Sequence, residues 1–121
     1  MDVVKIPGPD HPISVTPSAR RFRVSFQGVT VAESADVLML KEAHYKEVGY
    51  FPRVDAEMSH FVPTALDTYC PYKGHAAYFS LKTGGAVAEN AVWTYEAPHP
   101  AMAAIAGRLA FYPNLVEITE V

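Results

Sequence analysis

Ten prolines and seven glycines are spread along the whole of this 121-residue chain, and their spacing limits the fold more than any other feature. Each proline fixes its own φ and lacks an N–H, and each glycine opens turn conformations that other residues avoid. No stretch between them keeps a helical period for long, so the pattern predicts many short strands joined by tight turns. The length accommodates one domain with one hydrophobic core, and an apolar share of 50% is enough to build it. No repeat, low-complexity tract or linker divides the chain.

Pro7, Pro9, Pro12 and Pro17 make residues 1–18 read as an extended, proline-rich arm, with a single β-rich domain over 19–121. A first hairpin is expected near 20–26 and 29–33 through Gln27-Gly28, then a strand near 36–41. Residues 49–51 and 57–62 read as short strands on either side of the bend Pro52-Arg53-Val54-Asp55, the second ended by Pro63. Residues 76–82 and 86–95 form a hairpin across Thr83-Gly84-Gly85. The alanine-rich stretch near 100–106, followed by Gly107, is the one short helix. A last hairpin is expected to join 108–112 to 115–121.

The formal net charge of −3 gives the whole chain no electrostatic reason to bind nucleic acid. The local cluster Arg20, Arg21 and Arg23 opens a strand whose alternate residues are apolar, so it reads as a solvated face. One cysteine excludes an intramolecular disulfide and a zinc site built from paired CxxC motifs. The start carries no basic and apolar leader, and no apolar run is long enough to cross a bilayer. The expectation is a soluble cytoplasmic protein, with no membrane partner and no cofactor named by any motif.

Three groups of residues could carry chemistry. Thr68-Tyr69-Cys70-Pro71-Tyr72-Lys73-Gly74 places the only thiol near a phenol and an ammonium in a segment expected to be irregular, and His75 is the nearest base in sequence. Cys70 is therefore a candidate nucleophile, although a lone thiol also commonly fills core space. Arg53, Asp55 and Glu57 could offer paired carboxylates to a metal or simply form salt bridges, and no phosphate loop accompanies them. The histidines match no metal-ligand spacing. Trp93 and Tyr95, two apart on an expected strand, should face one side and could wall a ligand pocket.

Four ordered blocks carry a family resemblance: Tyr50-Phe51-Pro52-Arg53 with Asp55; Thr68-x-Cys70-Pro71-Tyr72-Lys73-Gly74-x-Ala76-x-Tyr78; Asn90-Ala91-Val92-Trp93-x-Tyr95; and Ile105-x-Gly107-Arg108-Leu109-Ala110-Phe111-Tyr112-Pro113. Over roughly residues 19–121 the chain resembles the bacterial family called domain of unknown function 427. The resemblance implies a small, mainly β, β-tent-like fold and no particular activity. The nucleotidyltransferase label sometimes attached to the family has no counterpart here in a glycine-serine motif with spaced aspartates. β-tent relatives often hold zinc with two CxxC pairs or resolve a sulfoxide with a second thiol, and this chain has neither.

The leading expectation is a binding domain for a small anionic ligand, with a pocket lined by Arg53, Tyr72, Lys73 and Trp93. Tyr50, Asp55 and Tyr78 join them as ligand-binding candidates because they sit in the same blocks. An enzyme using Cys70 as nucleophile or redox centre is the second reading. The third is a homo-oligomeric scaffold assembled through the proline-rich arm.

Overall fold

The computed structural model describes residues 2–121, and the chain in it is mainly β, with ten strands in three antiparallel sheets. The strands are β1 (Ile13–Pro17), β2 (Phe22–Phe26), β3 (Val29–Ser34), β4 (Leu38–Glu42), β5 (Val48–Tyr50), β6 (Phe61–Cys70), β7 (Gly74–Thr83), β8 (Ala86–Thr94), β9 (Leu109–Phe111) and β10 (Glu117–Glu120). The sheets run in the orders β1-β4-β5, β10-β2-β3 and β6-β7-β8-β9. No helix among the described residues is long and apolar enough to cross a membrane.

Two of the sheets are joined at their edges. Phe51 and Leu109 exchange both backbone hydrogen bonds, each at 2.8 Å, which places β5 beside β9. The result is one curved surface ordered β1-β4-β5-β9-β8-β7-β6. Because side chains alternate across a strand, this surface has an inside and an outside. Leu38 and Leu40 of β4, Val48 and Tyr50 of β5, Ala110 of β9, Trp93 of β8 and Tyr78 of β7 pack together on the inside. Phe51, Leu109, Phe111, Val92, Phe79 and Leu81 form the outer face, and Val24, Phe26 and Val31 of β2 and β3 cover it.

A bulge helps to bend that surface into a trough. Phe79 pairs with Val92 but Leu81 pairs with Ala88, so β8 spends two extra residues there. Asn90 takes up the excess with φ of +51°, in the left-handed region that asparagine tolerates better than most residues. The Thr64 hydroxyl donates to its side-chain oxygen at 2.6 Å, and the Ser80 hydroxyl accepts from its backbone N–H at 3.0 Å.

Four expectations are corrected. The arm expected over residues 1–18 is not one piece, since Ile13–Pro17 is β1 and pairs with β4 over its whole length. Only the preceding residues run as an extended strap, which Lys5 ties down by donating its backbone N–H to the Pro71 carbonyl at 2.9 Å. Residues 57–62 were expected to be a strand ended by Pro63. Met58–His60 is a 3₁₀ turn, and β6 starts at Phe61 and passes through Pro63. Strand β6 lies at the sheet edge, where a proline need not supply a donor to a second neighbour. The segment around Cys70, expected to be irregular, is strand up to Cys70 and again from Gly74, with only Pro71, Tyr72 and Lys73 in the turn. The last hairpin does not form, because β9 pairs with β8 and β10 pairs with β2. The short helix expected near 100–106 is present as a 3₁₀ segment, Pro100–Ile105, kinked at Met102, which seats Met102 and Ile105 in the inner cluster.

Candidate functional site: an aromatic trough closed by an ion pair

The inner face of the trough is not packed to its end. A cavity of about 230 Å³ is left between β4–β5 and β7–β8, walled by Leu40, Val48 and Tyr50 on one side and by Tyr78, Trp93, Tyr95 and Tyr112 on the other. Glu42 and Lys73 stand at one end, while Tyr45 and Lys46, in the exposed β4–β5 loop, line it as well.

The ion pair arises from local geometry. Leu38, Leu40 and Glu42 alternate along β4, so the strand that turns two leucines inward also turns a carboxylate inward at its end. Lys73 reaches the same place because the tight β6–β7 turn closes on Gly74. That residue has φ of +113°, and a Cβ there would stand 3.5 Å from the Pro98 backbone. The Lys73 ammonium donates to Glu42 Oε1, and His11 Nε2 lies 2.8 Å from Glu42 Oε2. The two side chains are only 11% and 15% exposed. Burial works against ionising the Glu42 carboxyl, but hydrogen bonds from Lys73 and His11 outweigh it and hold the carboxyl below its ordinary range. Tyr72 stacks flat on the His11 ring, with centroids 4.1 Å apart and planes 9° from parallel.

Phenols and an indole supply the remaining polar atoms. Trp93 donates its Nε1–H to the Tyr50 hydroxyl at 3.2 Å, and the Tyr78 and Thr68 hydroxyls are 2.9 Å apart. Burial pushes the Tyr50 phenol above its usual range despite that indole bond, and burial followed by contact with Tyr78 raises Tyr112 to about 12. The Tyr50 and Tyr112 hydroxyls therefore remain protonated at neutral pH and can each donate as well as accept.

The sequence candidates divide. Tyr50, Lys73, Tyr78 and Trp93 meet in the cavity. Tyr72 stands one layer back, where it orients His11. Arg53 is on the other face of the β7–β8 sheet. It donates from Nε to the Gly107 carbonyl at 3.1 Å and from a terminal nitrogen to Thr94 Oγ1 at 3.2 Å, with its guanidinium over the Phe79 ring. Thr94 and Phe79 belong to the outer face, so Arg53 and Lys73 do not share a pocket, and Lys73 already has Glu42 as its counter-ion. Asp55 accepts from the Ser34 hydroxyl at 2.6 Å, also outside the cavity.

Cys70 is half-buried against the inner cluster and pairs with Gly74. His75 pairs with Tyr69 one position earlier, so its ring shares the Tyr69 face and not the Cys70 face. Its two nitrogens are taken by Asp67 at 3.0 Å and Asp2 at 2.7 Å. It is not positioned as a base for the thiol.

Sequence reasoning missed Glu42, His11 and Lys46. A signal for Glu42 was available, since a carboxylate in phase with two inward leucines must find a partner. That partner is 31 residues away along the chain and could not be named.

Fold and site together define a small all-β domain with a ligand-sized aromatic trough. A family profile described as Domain of unknown function (DUF427) matches residues 14–121, and the chain belongs to that family. Among curated proteins no relative matches the chain.

Proposed function

We propose that this domain binds a small, ring-bearing polar molecule in the trough between β4–β5 and β7–β8. One observation carries the reading. A cavity of about 230 Å³, walled by Tyr50, Tyr78, Trp93, Tyr95 and Tyr112, ends on a largely buried Lys73–Glu42 pair, where an ordinary core would be filled by aliphatic side chains. Aromatic faces favour a planar or ring-shaped guest, and the few convergent polar atoms fix its orientation. The two-cation capture of an anion expected from Arg53 and Lys73 gives way to a site whose inner charges are balanced.

Trp93 is the only tryptophan in the chain and lines the cavity, so intrinsic fluorescence reports directly on occupancy. Titration with small planar compounds should shift the emission saturably. Val48→Phe, which fills the wall opposite Trp93, should abolish the shift, whereas Arg53→Ala should leave it unchanged. A saturable shift that survives Val48→Phe and disappears in Arg53→Ala would refute this location.

A further inference from the structure

From the Lys73–Glu42 pair we infer that the guest is a planar heterocycle presenting a lactam edge, an N–H beside a C=O, to the inner end of the trough. This rests on the pocket reading above and adds to it the chemical class of the guest.

The argument is a count of unspent hydrogen bonds. An ammonium carries three N–H donors. Lys73 gives one to Glu42 Oε1 and has no second protein acceptor among the described residues, and its ammonium stands 5.9 Å from the Tyr95 ring centroid. A carboxylate can accept at about four positions. Glu42 accepts from Lys73 at one oxygen and meets His11 at the other, which leaves a lone pair on each. Both side chains are largely buried and both line the cavity, so water alone satisfies these positions poorly and a guest can satisfy them well. The inner end therefore offers a donor and an acceptor side by side. A cis-amide edge is the complement: its carbonyl oxygen accepts from Lys73 and its N–H donates to Glu42.

Charge argues against an acid group in that position. A carboxylate or phosphate oxygen hydrogen-bonded to Lys73 would lie within a few ångströms of the Glu42 charge, and like charges at such separation repel strongly in a partly desolvated site. A neutral carbonyl avoids that cost. Size and walls agree with a flat guest. The cavity is smaller than the roughly 300–1,000 Å³ of pockets for drug-sized ligands, which restricts it to one or two fused rings. Trp93 and Tyr112, with ring centroids 4.6 Å apart, supply aromatic surface for stacking.

The test titrates the wild-type full chain with five probes, read by Trp93 fluorescence and by calorimetry. They are uracil and hypoxanthine, which carry the lactam edge; 1,3-dimethyluracil, which keeps the ring and loses both N–H donors; benzoate, a planar anion; and glucose, a polar ring without an aromatic face. Uracil or hypoxanthine should bind at least roughly tenfold more tightly than the other three, since an unmatched buried donor or acceptor weakens binding. Glu42→Leu, which removes the acceptor for the guest N–H, should erase the preference of uracil over 1,3-dimethyluracil, and if that variant does not fold the wild-type series decides alone. Dimethyluracil, benzoate or glucose binding as tightly as the lactams would overturn the lactam edge and leave the pocket standing. Failure of all five to bind would overturn both.

Discussion

Glu42 connects the stability of the trough to pH. Hydrogen bonds from Lys73 and His11 hold its folded carboxyl below the ordinary 4.5 in spite of burial. A group whose folded pKa is depressed contributes stability that is fully present above the unfolded value and is lost as pH falls through the folded one. The melting midpoint should therefore decline as pH drops below about 4.5, and Glu42→Gln should flatten that decline while lowering the plateau near neutrality. Thermal melts of both proteins from pH 7 down to pH 3 check this. An equally steep acid decline in Glu42→Gln would assign the effect to other carboxylates. Glu33 is one candidate, held low by the hydrogen bonds of Arg23 and Arg21 on an exposed face. At this scale the sequence disclosed Lys73, Tyr78, Trp93 and Tyr50 because they fall within recognisable blocks. Glu42 was legible only as an inward carboxylate at the end of β4, and its partner could not be named because the ion pair closes across 31 residues of chain.

At the scale of elements, the 3₁₀ turn Arg53–Asp55 is held to the outer face by the guanidinium of Arg53, which bridges the Gly107 carbonyl and Thr94 Oγ1. Thr94 is fully buried, so removing the cation strands its hydroxyl. Hydrogen bonds to charged groups contribute about 1.5–3 kcal/mol, and Arg53 is about one-third exposed, so Arg53→Ala should cost roughly 2 kcal/mol in urea denaturation. Trp93 emission in the folded state should not move, because the indole is on the opposite side of β8. A variant with unchanged stability and an altered Trp93 spectrum would mean that Arg53 acts through the trough after all. The element pattern was partly legible. Alternation located β2, β3, β7 and β8, and paired glycines located the β7–β8 turn. Reading Pro63 as a strand end failed because whether a proline can stay in a strand depends on whether its N–H side faces a neighbour, and only the sheet order decides that.

For the whole molecule, the Phe51–Leu109 bridge matters most, since it makes two sheets one curved surface with a core on each side. Phe51 is buried and meets Phe111 edge-on at 5.5 Å. Phe51→Ala should cost about 3–5 kcal/mol, as large-to-small core changes do. Because the bridge couples the outer core to the inner trough, far-UV circular dichroism and Trp93 fluorescence should lose their signals in one coincident transition. Two separated transitions would mean that the sheets fold independently. Composition and turn residues by themselves determined that this chain is a mainly β domain of short strands, because prolines and glycines act locally and alternation is visible over a few residues. Only tertiary structure decided which faces meet. Whether Trp93 faces Lys73 or Arg53, whether His75 serves Cys70, and which acid answers Lys73 all depend on strand register and sheet order, where a shift of one residue turns every side chain to the other face.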